Sequence, residues 1–275
     1  HLMILNTLGI NNIIIVQTKI DLVTKERAVA SFNEIKKFVA GSVAENAPIV
    51  PISANFNLNI DAVVEEIERS IPTPKRDKNA PLRMFVSRSF DVNKPGTDID
   101  SLNGGVIGGS VIQGHIKLRE KLELKPGITK KEGGKPEKLI FEVTSLREEN
   151  EKLEEAFPGG LIAIGTRLDP TLTKSDSFIG SVVGRVGELP EPVSVVKIKY
   201  ELLKRTDIDN PPLKLSEPVV VNINTTTNVG VIADLGKGIA TVRLKKVMVA
   251  DKSSKAALSR KIGQRWRLAA WGQIV

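Results

Sequence analysis

Alternating strand and helix patterns at the start of the sequence constrain the fold more than any other feature. Residues 13–16 and 49–52 are continuous apolar runs, which are typical of parallel strands buried on both faces. A helix pattern follows each run: one begins near Lys25 after the N-cap candidate Thr24, and the other ends before Pro72. This β-α-β-α order predicts part of a doubly wound α/β sheet.

After this region the sequence changes to short β patterns that are separated by glycine, proline and aspartate turns. Polar, proline-containing stretches at residues 72–81 and 188–192 read as linkers. We therefore predict an α/β domain over residues 1–76, followed by two all-β barrel domains over residues 77–190 and 191–275.

The composition excludes several classes of site. The 275 residues contain no cysteine and only two histidines, His1 and His115, so neither a metal-ligand spacing nor a catalytic triad is present. We predict no metal site. The apolar runs are too short to span a bilayer, which predicts a soluble protein without a membrane partner.

The net charge of +8 is concentrated in the last third of the chain. Residues 193–275 carry 15 lysines and arginines against 6 aspartates and glutamates. Such a surface favours polyanions such as RNA, although a solvated basic face that aids solubility explains the charge equally well.

Two short motifs follow the two buried strands of the α/β region. Gln17-Thr18-Lys19-Ile20-Asp21 and Pro51-Ile52-Ser53-Ala54-Asn55 stand at the carboxyl ends, where ligands bind in such sheets. They resemble the Asn-Lys-x-Asp and Ser-Ala elements with which GTPases recognise guanine, with threonine in the usual asparagine position. An aspartate carboxylate can accept from both N1–H and the exocyclic amine of guanine, and a lysine stem can pack over the purine. The candidate nucleotide-binding residues are Thr18, Lys19, Ile20, Asp21, Ser53, Ala54 and Asn55.

The phosphate-binding part of such a site is missing. No Gly-x-x-x-x-Gly-Lys-Ser/Thr string occurs, since Gly104 and Gly109 have the spacing but Ser110 occupies the lysine position. We predict instead that these glycines mark bulges or close approaches in a barrel. The chain also begins at His1 inside a helix pattern over residues 2–8, so we expect it to lack the first part of its α/β domain. It should neither bind GTP tightly nor hydrolyse it, and no residue is assigned a catalytic role.

A longer resemblance starts at residues 88–96, Arg-Ser-Phe-Asp-Val-Asn-Lys-Pro-Gly, and includes residues 157–161 and 166–172. These segments resemble the gamma subunit of archaeal and eukaryotic translation initiation factor two, and the likeness covers the whole chain. It implies the distal half of a P-loop GTPase-type G domain followed by two β-barrels. In the intact protein it implies a cytoplasmic GTPase that binds GTP or GDP with Mg²⁺ and carries initiator methionyl-tRNA to the small ribosomal subunit. It also implies a heterotrimer, with the alpha subunit on the second domain and the beta subunit on the G domain.

The resemblance also nominates contact residues. Arg88 and Lys94 flank a loop that faces the family's tRNA acceptor end, and Arg147 and Arg167 are further candidates for RNA or subunit contact. For Arg88 and Lys94 an ordinary surface charge is an equal alternative, and for Arg147 and Arg167 it is the favoured one. Trp266 lies among basic residues in a terminal strand, where we predict a core position.

Two other functions remain open from the sequence. One is a translation elongation factor of the Tu or selenocysteine-specific type. The other is a nucleotide-free scaffold that binds RNA or protein.

Overall fold

The computed structural model describes residues 2, 5–6, 9–129, 134–203, 209–252 and 254–275. The chain divides into two compact units, His1–Lys75 and Arg76–Val275. Most of the helix predicted for residues 2–8 lies outside the described residues. In the part of the chain that the structure describes, no helix is long and apolar enough to cross a membrane.

The first unit has the predicted α/β pattern. Strands β1 (Ile15–Gln17) and β2 (Ile49–Pro51) pair in parallel, and helices α1 (Lys25–Val39) and α2 (Ile60–Ser70) follow them. A 3-10 turn over Ile20–Leu22 separates β1 from α1. Thr24 caps α1, as predicted, because its Oγ1 accepts from the amide of Arg27 at 3.4 Å.

The second unit begins with a β domain, which we call the middle domain. Its strands are β3 (Arg83–Phe90), β4 (Val106–Gln113), β5 (Ile116–Lys117), β6 (Lys121–Ile128), β7 (Glu137–Glu142), β8 (Ser145–Glu148), β9 (Glu151–Leu153), β10 (Glu155–Ala156), β11 (Gly159–Gly165) and β12 (Val182–Arg185). The main sheet has eight antiparallel strands in the order β7-β6-β12-β3-β4-β11-β8-β9. A small separate sheet pairs β5 with β10. Phe141 of β7 and Leu146 of β8 share one core although their strands lie at or near opposite ends of the sheet, so the sheet wraps around that core.

Glycines permit close packing between strands of the middle domain. A Cβ at Gly109 would lie 2.1 Å from the carbonyl oxygen of Phe85, and one at Gly104 would lie 2.0 Å from that of Thr166. The β3–β4 register also shifts between Val86 and Arg88, opposite Gly108 and Gly109. The predicted bulge and close approaches are therefore present, and backbone from a neighbouring segment fills the space of the missing side chains.

The second β domain is a closed barrel of six strands. They are β13 (Val193–Leu202), β14 (Pro218–Ile223), β15 (Thr226–Gly236), β16 (Ile239–Met248), β17 (Lys255–Ile262) and β18 (Arg265–Ile274). Around the barrel they follow the order β13-β16-β15-β14-β17-β18. Alternate residues point inward along each strand, as Ile198 and Val242 do, and they form one apolar core. The fold class predicted from the sequence is confirmed.

One prediction about the basic end of this barrel was wrong. Trp266 is 44% exposed instead of buried in the core. Arg260, in contrast, is buried, and its guanidinium donates to both carboxylate oxygens of Glu217 at 2.7 Å. Trp266 therefore belongs to the outer face of the barrel, while Arg260 forms a buried ion pair inside it.

The two β domains contact each other within the second unit. Val182 and Leu189 pack with Val249 of the barrel in a small apolar cluster. Arg83 Nε lies 3.6 Å from Asp251 Oδ2. The buried Lys125 ammonium donates to the Leu189 carbonyl at 3.0 Å, which fixes the segment that joins the domains.

Candidate functional site

The two sequence motifs of the α/β unit meet at one edge of the β1–β2 sheet. Gln17 pairs with Pro51, so both motifs leave the sheet at the same end. The amide of Ile52 donates to the Gln17 carbonyl at 2.8 Å, and the amide of Ile20 donates to the Ile52 carbonyl at 3.3 Å. Backbone hydrogen bonds therefore tie the second motif to the first.

The first motif turns sharply as it leaves β1. Lys19 has a left-handed conformation with φ 60° and ψ 35°, an uncommon state for a residue with a side chain. The 3-10 turn that follows contains Asp21, and both the Lys19 and the Asp21 side chains are exposed. The turn leaves the Asp21 carboxylate accessible to donors from solution. Thr18 is exposed as well, and Ile20 is half-buried.

The second motif is a short closed loop. Ser53 and Leu58 exchange backbone hydrogen bonds at 3.2 and 2.9 Å, and the intervening Ala54 and Asn55 are exposed. Ser53 is only 1% exposed, and among the described residues its Oγ has no hydrogen-bond partner. Burying a hydroxyl group without a hydrogen-bond partner destabilises a folded protein. The Ser53 hydroxyl is therefore suited to a hydrogen bond that forms when a ligand binds.

Two side chains that sequence reasoning missed brace this edge. Gln17 Nε2 donates to the Ala28 carbonyl of α1 at 2.9 Å, and Asn59 Nδ2 donates to the Pro51 carbonyl at 2.8 Å. Each is a polar residue at the border of a motif, which is the only signal that could have identified it. They hold the strand ends against the rest of the unit through these hydrogen bonds.

The middle domain brings two of the four candidate contact residues, Arg88 and Arg147, into one row. Arg88 pairs with Gly108, Gly108 with Ala163, and Ala163 with Arg147. Both arginines are exposed, and only a glycine and an alanine lie between them. At about 4.8 Å per strand, their backbones are about 14 Å apart on one face of the sheet.

The same row continues to a cation that the sequence analysis did not single out. Arg147 pairs with Lys152 of β9, and the Lys152 side chain is exposed. We name Arg88, Arg147 and Lys152, with Gly108 and Ala163 between them, the cationic row. No sequence signal marks Lys152, because its place depends on the strand register.

Arg88 already has a carboxylate partner. Its Nε donates to Asp176 Oδ1 at 3.0 Å, and the same oxygen accepts from the Ser89 amide at 2.9 Å. The hydrogen bond from Ser89 holds the pKa of Asp176 below its usual range, in spite of partial burial, and Arg88 adds to this effect. Arg88 is nevertheless 68% exposed along its side chain.

Lys94 and Arg167 lie apart from the cationic row. Lys94 is exposed in a turn, and its own carbonyl oxygen accepts from the Thr97 amide at 3.2 Å. Arg167 is exposed just after β11, next to the backbone approach at Gly104. Both follow strands that end at the same edge of the sheet, because Phe90 pairs with Val106 and Val106 with Gly165. Among the described residues, no cluster of three potential metal ligands occurs.

Comparison with curated proteins gives relatives that match along the whole chain. Translation initiation factor 2 subunit gamma of Methanococcus maripaludis strain C6 is 48% identical over 282 aligned positions, which cover 100% of this chain and 69% of the relative. The subunit of the same name from Methanococcus aeolicus is 50% identical, with 100% of this chain and 68% of the relative covered.

Solved structures of lower identity share the fold. Translation elongation factor SelB from Methanococcus maripaludis matches in its apo form with a TM-score of 0.77 at 19% identity, covering 100% of this chain and 60% of that one. Its complex with the GTP analogue GPPNHP matches with a TM-score of 0.76 at 17% identity, with coverages of 99% and 60%. At such low identity the likeness concerns the fold alone.

A family model described as initiation factor eIF2 gamma, C terminal, matches residues 194–274, which are nearly the whole closed barrel. The curated relatives extend the match to the α/β unit and the middle domain at close to half of all positions. The initiation factor resemblance is thus confirmed over the elongation factor alternative. The chain belongs to the family of translation initiation factor 2 gamma subunits.

Proposed function

We propose that this chain supplies the guanine-recognising edge and an RNA-contacting middle domain of a gamma subunit that works as a GTP-dependent carrier. In the full-length protein, GTP or GDP would bind with Mg²⁺, GTP would be hydrolysed, and initiator methionyl-tRNA would be delivered to the small ribosomal subunit. The observation that carries this proposal is the meeting of both guanine-type motifs at one edge of the β1–β2 sheet.

The geometry of that edge supports a specific assignment of roles. The exposed carboxylate of Asp21 would accept from N1–H and the exocyclic amine of guanine, and the Lys19 stem would cover the purine plane. The backbone amides at Ala54 and Asn55 would face the guanine carbonyl. Adenine lacks the donor pair that Asp21 requires, so Asp21 would set the preference for guanine.

The buried Ser53 hydroxyl fits this assignment, because nucleotide binding would bring an acceptor within its reach. Thr18 takes the place that asparagine has in the GTPase motif, so its shorter hydroxyl limits how far it can brace the neighbouring loops. The sequence contains no glycine-rich phosphate loop. We therefore expect this chain alone to bind nucleotides weakly and to hydrolyse none.

The RNA assignment rests on the cationic row. Arginine and lysine side chains that project from one face can contact successive phosphates, while the glycine and alanine between them allow a close approach of the RNA backbone. Lys94 and Arg167 would extend the contact to the edge of the sheet. Phosphate contacts of this kind would position RNA without reading its sequence.

The family to which the chain belongs supports a proposal about its partners. We propose a heterotrimer in which the alpha subunit binds the middle domain and the beta subunit binds the α/β domain. We also propose domain boundaries at residues 1–76, 77–190 and 191–275, since the compact units divide after Lys75 and the closed barrel starts at Val193.

Guanine recognition can be tested with Asp21→Asn in the full-length protein. Loss of two hydrogen bonds to a charged acceptor should weaken GDP binding by about 100-fold or more, because each contributes about 1.5–3 kcal/mol. The asparagine amide can donate to the C2 carbonyl of xanthine, so binding of xanthosine diphosphate should improve. Calorimetry measures both affinities, and Asp61→Asn, on the first turn of α2, is the matched control. Equal GDP affinity in wild type and Asp21→Asn would refute the assignment.

RNA contact can be tested with Arg147→Ala and Lys152→Ala in filter-binding titrations of initiator tRNA. Each variant should lower the affinity and reduce the slope of log K against log salt by about 0.7–0.9, the share of one phosphate contact. Lys121→Ala removes an exposed cation from β6 in the same domain and should leave the slope unchanged. A slope that changes equally in the control would show that the row has no special role.

A further inference from the structure

The outer face of the closed barrel carries an unexplained apolar and cationic surface. Val195 pairs with Arg243, Arg243 with Val231, and Val231 with Pro218, so these four side chains form one row across four strands. The valines are 45% and 43% exposed. Inward-pointing neighbours such as Val196 and Val242 belong to the core, which places the row on the opposite, solvent side.

A second row lies two residues along the same face. Val229 pairs with Val220, Val220 with Ser259, and Ser259 with Leu268. Beyond it, Lys261 pairs with Trp266 at the end of the β17–β18 hairpin. We name these residues together the barrel face: Val195, Pro218, Val220, Val229, Val231, Arg243, Ser259, Lys261, Trp266 and Leu268.

The barrel face has charges of one sign only. Arg243 and Lys261 are both exposed, and none of its residues is acidic. Glu217, which precedes Pro218, is committed to the buried Arg260 instead. Tryptophan and arginine are enriched at the centres of protein interfaces and contribute most of the affinity there, and the exposed valines add apolar area around them.

We propose that the barrel face binds a protein segment that presents both acidic and apolar side chains. Charge complementarity selects the acidic groups, which would pair with Arg243 and Lys261. The exposed valines and Trp266 favour a partner that also presents apolar groups. A partner with charged groups alone would cover this apolar surface without the favourable free energy of apolar contact. Single-stranded RNA could stack on Trp266, but it would leave the valines in contact with phosphate, so the observations favour protein.

The proposal predicts a preference among defined probes. A labelled synthetic peptide in which aspartate alternates with leucine and phenylalanine should bind the full chain in a saturable manner by fluorescence anisotropy. It should bind about tenfold more tightly than an aspartate–serine peptide or a lysine–leucine peptide of the same length. An oligouridylate is the RNA probe.

Variants of the barrel face then locate the binding. Trp266→Ala and Arg243→Glu should each weaken binding of the acidic and apolar peptide by about tenfold or more. Lys237→Glu changes an exposed cation in the β15–β16 turn, away from the face, and should change the affinity less than about twofold. Circular dichroism of each variant controls for folding, and Trp266→Phe should retain most of the affinity.

Three results would overturn the proposal. In the first, no peptide binds. In the second, the aspartate–serine peptide binds as well as the apolar one, or Lys237→Glu weakens binding equally, which would show general charge attraction. In the third, oligouridylate binds more tightly than any peptide and loses affinity in Trp266→Ala, which would identify an RNA surface.

Discussion

The α/β unit and the β domains differ in the size of their buried apolar cores. In the α/β unit the paired strands are three residues long, and Val39, Ala44 and Ile52 are its buried apolar residues among those described. In the described parts of the middle domain and the closed barrel, the core clusters contain 16 and 15 buried residues. The proposed guanine-recognising edge lies in the unit with the smaller core, so this proposal places recognition and most of the buried core in different parts of the chain.

The α/β unit also leaves large apolar side chains in solvent. Phe38 of α1 is 75% exposed, and Val16 of β1 and Ile67 of α2 are exposed as well. A doubly wound sheet normally covers both faces of its strands with helices. We therefore expect the β domains to contribute most of the free energy of unfolding. Four substitutions test how far the two regions differ in stability.

The largest effect is expected for Arg260→Ala in the closed barrel. The substitution leaves the Glu217 carboxylate and the Pro212 carbonyl, which accepts from Arg260 at 3.2 Å, without their buried donor. Breaking a buried pair from one side should lower the free energy of unfolding by about 3–5 kcal/mol. Both tryptophans lie in β18, so denaturant unfolding followed by their fluorescence reports on this barrel. A loss below about 1 kcal/mol, or an equal loss in Lys237→Ala, would contradict the prediction.

A somewhat smaller effect is expected for Leu124→Ala in the core of the middle domain. Leu124 is fully buried, and its truncation should cost about 2–5 kcal/mol through lost burial and a residual cavity. Phe38→Ala removes a larger apolar side chain from the exposed surface of α1 and should cost less than about 1 kcal/mol. Thermal unfolding of both variants compares the two units directly. Equal costs would mean that Phe38 is covered in solution.

Acid should weaken the closed barrel through Glu217. Burial raises the pKa of Glu217, but hydrogen bonds from Arg260 and the Lys214 amide outweigh it, so the net pKa lies below the ordinary value. A depressed carboxylate pKa stabilises the folded state above the pKa of the unfolded chain, and this contribution disappears as the pH falls through the folded pKa. The stability difference between wild type and Glu217→Gln should therefore shrink between pH 7 and pH 3. A difference that stays constant would show that the charge of Glu217 is irrelevant.

The smallest effect is expected for Thr24→Ala at the start of α1. Its hydrogen bond to the Arg27 amide is exposed and 3.4 Å long, so its loss should cost about 0.5–1 kcal/mol. Amide hydrogen exchange should accelerate in the first turn of α1 and remain unchanged in the barrels. Thr24→Ser keeps the acceptor and should behave like wild type. Accelerated exchange throughout the chain would show that the units unfold together.

Local patterns predicted the α/β unit well because each of its signals is short in range. Residues that are close together in the sequence indicate the N-cap at Thr24 and the helix α1. The two guanine-type motifs are likewise short strings of consecutive residues. The pairing of β1 with β2 then brings the motifs to one edge, as the sequence predicted. The bracing by Gln17 and Asn59 could not be predicted, because it depends on which carbonyl each amide reaches.

Strand register explains the failures in the β domains. Leu258 pairs with Ala270 but Ser259 pairs with Leu268, so one extra residue, Ala269, interrupts β18. A one-residue bulge changes the face of every side chain beyond it. Without the bulge, Trp266 would point inward with Ala270, as the sequence pattern predicted. The cationic row has the same origin, because Arg88, Arg147 and Lys152 align only through the pairing of five strands.

The ion pair between Arg88 and Asp176 changes what salt can reveal about RNA binding. An arginine that already neutralises a carboxylate causes a smaller net release of cations when it binds a phosphate, because the carboxylate that it leaves attracts cations in its turn. The exchange releases little net charge, so Arg88 should contribute to the geometry of a complex and little to its ionic-strength dependence. The salt dependence of RNA affinity would then report the contacts of Arg147 and Lys152 but not that of Arg88, even if all three side chains contact the RNA.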